Sequence, residues 1–250
     1  MNTYDPQQTL VAITVHAVPI VLIGGISIVA MWVFFVEAAR MSRRDRVAPM
    51  ALWMTVLWWP HDGNYLLDVH DWFSGYHHWF MELFWFAIIV TFVSESLYVV
   101  QTIRYGRDEL SPGSGQRSHA LRVLVALWAG TVSWSLLKGA LDDPLFLLSF
   151  MGTLLWGLPS SAALLARRRA PLGQSLLEWQ AFSVMTICYS IASVGFFGGG
   201  FFHSLPYVGI CAVASVWSAV NVLQLRSAGA VRHSWAVDLP GGRQVAAKLT

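Results

Sequence analysis

Long apolar segments alternate with short polar connections along almost the whole chain. Seven segments reach the roughly 20 residues that a helix needs to cross the hydrocarbon core of a bilayer. They cover residues 14–39, 47–69, 79–103, 120–140, 144–166, 174–197 and 205–225. From Ser227 onward the chain is poorer in apolar residues. This pattern predicts an all-α, polytopic membrane protein with a bundle of seven transmembrane helices in residues 1–227 and a weakly ordered tail in residues 228–250.

The basic residues predict the orientation of this bundle, because cytoplasmic loops carry an excess of Lys and Arg. They fill every second connection and the tail: Arg40, Arg43, Arg44 and Arg46; Arg104, Arg107 and Arg117; Arg167, Arg168 and Arg169; Arg226, Arg232, Arg243 and Lys248. Lys138 is alone in the other set of loops. The alternation predicts an N-terminus outside the membrane and a C-terminus in the cytoplasm.

Composition supports the membrane class. Of the 250 residues, 56% are hydrophobic and 12% are charged, whereas soluble domains have about 25% charged residues. The two cysteines, Cys188 and Cys211, both lie in apolar segments and do not indicate a disulfide framework. The sequence contains no nucleic-acid-binding motif. Its apolar composition makes the lipid bilayer the first expected partner.

The most unusual stretch lies in the second apolar segment, where Pro60, His61, Asp62, Gly63 and Asn64 follow one another. Polar groups inside a bilayer are costly and usually line a cavity, so we expect the second helix to break here. Counting from the start of the segment at about 1.5 Å per residue places Asp62 roughly 22 Å from the inner surface. We predict a buried acid oriented by His61 or Asn64; the alternative is a helix end at the water boundary with Asp62 solvated.

Glu95 is the second candidate, roughly 13 Å from the inner surface in the third apolar segment. Ser94 and Ser96 flank it. We predict a cavity carboxylate that holds the substrate or a water chain. The alternative is a hydrogen bond to Ser or Thr on a neighbouring helix.

The other ionisable residues lead to weaker predictions. An outer set could supply ligands for a divalent metal, but it is spread over a turn and two helices, so we predict no metal site: His61, His70, Asp71, His77, His78 and Glu82. Asp143 and Pro144 predict a helix that starts with Asp143 as its cap. Glu178 is expected in a surface ion pair with the basic run 167–169.

Three short motifs resemble a known family. RYGRDEL at 104–110 follows the carboxylate at Glu95, RDRVAPMALWMTVLWW occupies 44–59, and LLARRRAPLGQSLLEWQ occupies 164–180. Together they resemble the seven-helix membrane terpene cyclases of fungal meroterpenoid and indole-diterpene pathways, which have bacterial relatives. The resemblance covers roughly residues 30–195. It implies an integral protein of the bacterial cytoplasmic membrane and partners in the same pathway, a prenyltransferase and an epoxidase.

The departures from that family affect the mechanism more than the fold. The family carries Trp-Glu in its second helix, and that glutamate is held to be the proton donor. Here Trp59 is followed by Pro60, with Asp62 two positions beyond it. The family also has an acid in its last helix, where this chain has Asn221.

Taken together, the residues and the resemblance predict a terpene cyclase that starts cyclisation of a lipophilic, prenylated substrate by protonation, with Asp62 as acid and Glu95 and His61 as its catalytic partners. No cofactor is needed. A cavity formed mainly by the second, third, sixth and seventh spans would bind the substrate through a set of polar and aromatic residues: Trp59, Asn64, Glu82, Trp85, Trp156, Trp217 and Asn221. The alternatives are a non-enzymatic ligand- or metal-binding accessory protein and a related lipid isomerase or hydratase.

Overall fold

The computed structural model describes the backbone of residues 4–237 and the side chains of residues 4–229. Within that range every regular element is helical. The helices are α1 (Pro6–Val15), α2 (Ala17–Asp45), α3 (Leu52–Leu66), α4 (Trp79–Tyr105), α5 (Arg107–Leu110), α6 (Gln116–Leu141), α7 (Leu147–Gly157), α8 (Pro159–Arg168), α9 (Leu176–Phe196), α10 (Gly199–Phe202) and α11 (Leu205–Val237), with a π-helical turn at Asp71–Tyr76 between α3 and α4.

Six of the described helical segments are long and apolar enough to cross a membrane. They are α2, α4, α6, the continuous pair α7–α8, α9 and α11. Their outward faces carry large apolar side chains, such as Leu22, Trp128 and Leu136, each more than 60% exposed. A helix that is apolar outside as well as inside is typical of a protein surrounded by lipid. The protein therefore has the build of a multi-pass membrane protein.

The predicted second span is the shortest of the set. Its helix, α3, has 15 residues and is about 22 Å long, less than the roughly 30 Å of a hydrocarbon core. The expected break at residues 60–64 is wrong, because α3 continues through Pro60 and ends at Leu66. The Asn64 amide donates to the carbonyl of Pro60 at 2.7 Å and supports the helix beyond the proline.

Pro60 has no N–H to donate to the carbonyl of Val56, four residues before it. Gly130 of α6 lies against that carbonyl so closely that an added Cβ would be 2.2 Å from the Val56 oxygen. Only glycine fits this contact, and α6 therefore packs tightly on α3. In the rest of the bundle, α2 packs along α9, α9 packs against α11, and α3 also packs against α4.

The fifth span begins differently from the prediction. Its helix, α7, starts at Leu147, with Phe146 rather than Asp143 at the cap position. The carboxylate of Asp143 nevertheless accepts from the backbone N–H groups of Leu147 and Ser149 and from the Ser149 hydroxyl, at 2.6–3.1 Å. The Tyr4 hydroxyl also donates to it. Asp143 is thus a buried anchor that ties the N-terminal segment to α7.

Two further predictions are corrected at the other end of the bundle. Glu178 is buried and forms a capping box with Ser175 at the start of α9, so it is not in a surface ion pair. Arg167 and Arg168 pair with Glu109 instead. The last helix, α11, continues to Val237, beyond the boundary expected after residue 227, and residues 238–250 of the predicted tail lie outside the described range.

Candidate functional site

Three polar side chains predicted from the sequence line one small buried cavity. His61 and Asp62 come from α3 and Glu95 comes from α4, and each is less than 7% exposed. The cavity has a volume of about 30 Å³, which is room for a water molecule or the end of a ligand. Its other walls are Met31, Phe35, Trp58, Thr91, Phe150, Thr153, Leu154 and Met185.

Asp62 is held by two neighbours. Its Oδ1 is 2.8 Å from Nδ1 of His61, and the Thr91 hydroxyl donates to its Oδ2. The same hydroxyl is 2.9 Å from the carbonyl of Ile88. Because helical residues four apart lie on one face, Thr91 and Glu95 both point from α4 towards α3.

Two buried polar atoms at this cavity have no hydrogen-bond partner among the described residues. They are Nε2 of His61 and Oε2 of Glu95. An unsatisfied buried donor or acceptor costs about 1–3 kcal/mol, and such atoms in native structures need an explanation. Both atoms are available to a ligand or to water in the cavity.

A larger apolar cleft adjoins the polar cavity. It has a volume of about 310 Å³ and lies between the N-terminal halves of α2 and α4, against α7 and α9. Met31, Thr91 and Phe150 line both spaces. The volume is at the lower end of the roughly 300–1,000 Å³ that ligand pockets occupy. An apolar cleft with a few polar groups at one end is typical of a site for a lipophilic molecule.

The predicted set of contributing helices is only partly right. The second, third and sixth spans line the cavity through α3, α4 and α9, but α11 does not, and α2 and α7 supply the remaining walls. Asn221 lies on the side of α11 that contacts the junction of α7 and α8, where its amide donates to the carbonyl of Leu158 at 2.8 Å. It therefore holds helices together outside the cavity.

The tryptophans predicted to bind substrate lie outside both spaces. The indole N–H of Trp59 donates to the hydroxyl of Ser96 at 2.9 Å, and that of Trp85 donates to the carbonyl of Leu66 at 3.3 Å. Trp217 faces outward on α11 at 37% exposure. These side chains secure helix contacts or face lipid.

The remaining predicted substrate contacts are also elsewhere. Asn64 faces α6, where the Ser135 hydroxyl is 3.5 Å from its amide oxygen. Trp156 packs edge-on against Trp134 at 6.0 Å. Glu82 is in the first turn of α4 and lines neither space. The outer histidines and carboxylates are dispersed: the described part of the chain has no group of three or more His, Cys, Asp or Glu side chains that could hold a metal ion.

Thr91 is the polar contact that sequence reasoning missed. Its spacing of four residues before Glu95 was the available signal, because that spacing puts the two on one helix face. Trp58 could be recognised as an aromatic residue away from the helix ends, but only its packing against Phe182 and Phe34 shows that it faces inward.

Comparisons with protein families, with curated proteins and with solved structures found no significant match for this chain. Its function is therefore inferred from the geometry and chemistry of the cavity and the cleft, together with the resemblance of the three motifs. The predicted roles of Asp62, Glu95 and His61 remain predictions at this point.

Proposed function

We propose that this protein is a membrane terpene cyclase in which Asp62 protonates a lipophilic, prenylated substrate, with or without an epoxide, and starts its cyclisation. The observation that carries the proposal is the position of Asp62, buried at the point where a polar cavity meets an apolar cleft. A carboxylic acid in such surroundings can give its proton to an alkene or an epoxide without competition from bulk water.

The hydrogen bonds around Asp62 support its role because they fix the direction of its carboxyl group. Oδ1 is 2.8 Å from Nδ1 of His61, and the Thr91 hydroxyl donates to Oδ2. A catalytic group held in one orientation needs no rearrangement before it reacts.

The reaction balances without a cofactor. The Asp62 proton forms a C–H bond at an alkene or opens an epoxide as an alcohol, and the resulting carbocation is captured by an internal double bond. The last cation loses a C–H proton to the carboxylate of Asp62, which restores the acid, so that the product is an isomer of the substrate. Phe35, Trp58 and Phe150 are suited to stabilise the cation because aromatic faces attract positive charge and do not react with it.

The membrane arrangement follows from the same interpretation. We propose that α3 also crosses the membrane, as a short second span that brings the number of spans to seven. The N-terminus would then lie outside and the C-terminus in the cytoplasm of a bacterial cell. Support comes from the loops that join the spans: Arg168 binds Glu109 and the carbonyl of Ala48 at 2.7–3.0 Å, so three basic connections meet at one end of the bundle. A prenyltransferase and an epoxidase of the same pathway are the proposed partners.

A second candidate is a non-enzymatic protein that binds a lipophilic ligand. The observation that favours it is the size of the cleft, which is about ten times that of the polar cavity beside it, from about 310 and 30 Å³. In that case, substitution of Asp62 would leave ligand binding intact and there would be no product to lose.

The experiment is an assay of the purified full chain in lipid with a panel of farnesylated and geranylgeranylated aromatic compounds and their terminal epoxides. Cyclised isomers are detected by chromatography at unchanged mass. We expect Asp62→Asn to abolish product and Glu95→Gln to reduce it. The matched control is His77→Ala, since His77 is exposed and lies away from the cavity. Full product formation by Asp62→Asn would overturn the proposal.

A further inference from the structure

We infer that the cleft between α2 and α4 is a lateral entrance through which an uncharged isoprenoid chain passes from the bilayer to Asp62. The inference rests on the proposed function for the identity of the substrate. The occupancy of the cleft, however, is a separate physical property and can be measured without catalysis.

The walls of the cleft exclude a charged group. The residues that line it include no Asp, Glu, Lys, Arg or His side chain, and three polar ones, Ser27, Thr91 and Tyr189. Each of these already has a partner: Ser27 donates to the carbonyl of Met185 at 3.4 Å, Tyr189 donates to the carbonyl of Leu147, and Thr91 contacts Asp62. Burying a diphosphate among groups with no free donor would be very costly. The cleft therefore selects a hydrocarbon chain.

The mouth of the cleft opens on the outer surface of the bundle. Val21 and Leu83 both line it and are 51% and 48% exposed. On the α2 side, Gly24 and Gly25 follow one turn after Val21 and leave open space, since a Cβ added at either glycine would meet nothing within 4 Å. This surface is covered with apolar side chains, so a molecule dissolved in the bilayer reaches the mouth without crossing water.

The inner end of the cleft reaches the polar cavity. Met31, Thr91 and Phe150 line both, and Thr91 holds Asp62. The rings of Phe80 and Phe84 form part of the wall of the cleft. Aromatic faces and edges pack specifically against other π systems, which favours an unsaturated, branched chain over the saturated chains of bilayer lipids.

Cys188 offers a direct readout because it lines the cleft, whereas Cys211 lies elsewhere and is 3% exposed. The full chain carrying Cys211→Ser is reconstituted in lipid and its alkylation by N-ethylmaleimide is timed, with the total thiol measured after denaturation. We expect farnesol to slow the alkylation of Cys188 at least fivefold. Farnesyl diphosphate should not slow it, because its head group cannot enter.

Two substitutions test the route. Gly24→Phe should fill the cleft, slow alkylation and remove any further effect of farnesol. Gly209→Phe is the matched control, since a Cβ at Gly209 also meets nothing within 4 Å and Gly209 lines none of the cavities described. Ala87→Phe, on the opposite wall, replaces Gly24→Phe if that variant does not give a folded protein.

Two results would overturn the inference. Alkylation of Cys188 at the same rate with and without farnesol would show that no isoprenoid chain enters. If a linear saturated alcohol of matched length protects Cys188 from alkylation as well as farnesol does, the cleft binds the chains of bilayer lipids and does not select an isoprenoid. The proposed function is judged separately. Asp62→Asn should lose product and keep the protection of Cys188 by farnesol. If farnesol protects Cys188 in the unmodified chain but no cyclised product forms, the result counts against catalysis and not against the entrance.

Discussion

At the scale of single residues, the Thr91 hydroxyl holds the carboxyl group of Asp62 in place. It contacts the carboxyl of Asp62 and the carbonyl of Ile88 at the same time. Asp62 becomes a carboxylate as it gives up its proton, and a hydrogen bond to a charged group contributes about 1.5–3 kcal/mol. We therefore expect Thr91→Val to lower product formation by about 10–100-fold, while Thr91→Ser, which keeps the hydroxyl, retains most of it.

The measurement is the rate of cyclised product at several pH values. A merely structural role would lower the rate equally at every pH, whereas loss of the hydroxyl should also move the pH profile. An unchanged rate and profile for Thr91→Val would contradict the role assigned to this hydroxyl.

His78 supplies the second prediction at this scale, because it caps α4 in its neutral form. Its Nδ1 accepts the N–H of Phe80 at 3.2 Å, and its Nε2 contacts the Thr14 hydroxyl at 2.8 Å. Burial lowers the pKa of His78 below its usual value of 6.5. The imidazole of His78 therefore binds a proton less well in the folded state than in the unfolded state. Its contribution to the stability of the fold is complete above pH 6.5 and is lost as the pH falls towards the pKa of the folded state.

We expect the melting temperature of the unmodified chain in detergent to fall when the pH is lowered from 7.5 to 5.5. The decrease should be smaller for His78→Asn. Asparagine can cap a helix without titrating. The exposed neighbour variant His77→Asn is the control and should behave like the unmodified chain. Identical pH dependence in all three proteins would show that His78 does not titrate in this way.

The sequence could predict Asp62, His61 and Glu95 as candidates because ionisable groups in an apolar segment are rare and costly. It could not predict which tryptophans face the cavity. Trp58 and Trp59 are neighbours of one type, yet Trp58 lines the cavity and Trp59 binds Ser96 between α3 and α4. Which of the two faces the cavity depends on how α3 is rotated about its axis, and that rotation is set by contacts with other helices. A helix that is apolar on all sides has no hydrophobic periodicity that would predict the rotation.

At the scale of elements, α3 packs closely on α6 in the turn before Pro60. We expect Gly130→Ala to destabilise the protein by about 1–3 kcal/mol, because the new methyl group would meet backbone atoms of Val56, which cannot move aside as a side chain can. Gly139→Ala in the same helix is the control, since a Cβ there meets nothing within 4 Å. It should be neutral or stabilising by about 0.5–1 kcal/mol.

The two variants are compared by unfolding in increasing denaturing detergent, followed by loss of helical circular dichroism. Equal stability of Gly130→Ala and Gly139→Ala would refute the close contact of α3 with α6. Because α3 also carries Asp62, product formation should fall with stability only in Gly130→Ala.

The positions of most spans were predictable from the sequence, whereas the length of α3 and the end of α11 were not. Segments 79–103 and 174–197 correspond to α4 and α9 within a few residues. The break expected at Pro60 does not occur. The Asn64 amide donates to the carbonyl of Pro60, and Gly130, which lies 66 positions further along the chain than Asn64, packs against the carbonyl of Val56. A contact with a residue so distant in sequence leaves no local signal.

At the scale of the whole molecule, one arginine joins the basic connections at one end of the bundle. The guanidinium of Arg168 makes two hydrogen bonds to the Glu109 carboxylate at 2.9–3.0 Å and donates to the carbonyls of Ala48 and Leu172 at 2.6–2.7 Å. Its side chain is 4% exposed and that of Glu109 is 14% exposed. Such a bidentate pair fixes geometry as well as charge, so this residue holds together the connection between α2 and α3, helix α5 and the end of α8.

We expect Arg168→Leu to destabilise the protein by about 1–3 kcal/mol, because Glu109 keeps only the more exposed Arg167 as a partner and two carbonyls lose their donor. Arg43→Leu is the matched control, since it removes an exposed arginine at the same end of the bundle and should change stability by less than about 0.5 kcal/mol. The double variant Arg168→Leu with Glu109→Leu should recover part of the loss, because no unpaired charge remains buried. Detergent unfolding of the four proteins measures these differences. If Arg168→Leu and Arg43→Leu lower the stability of the protein equally, the basic end of the bundle does not depend on the hydrogen bonds of Arg168.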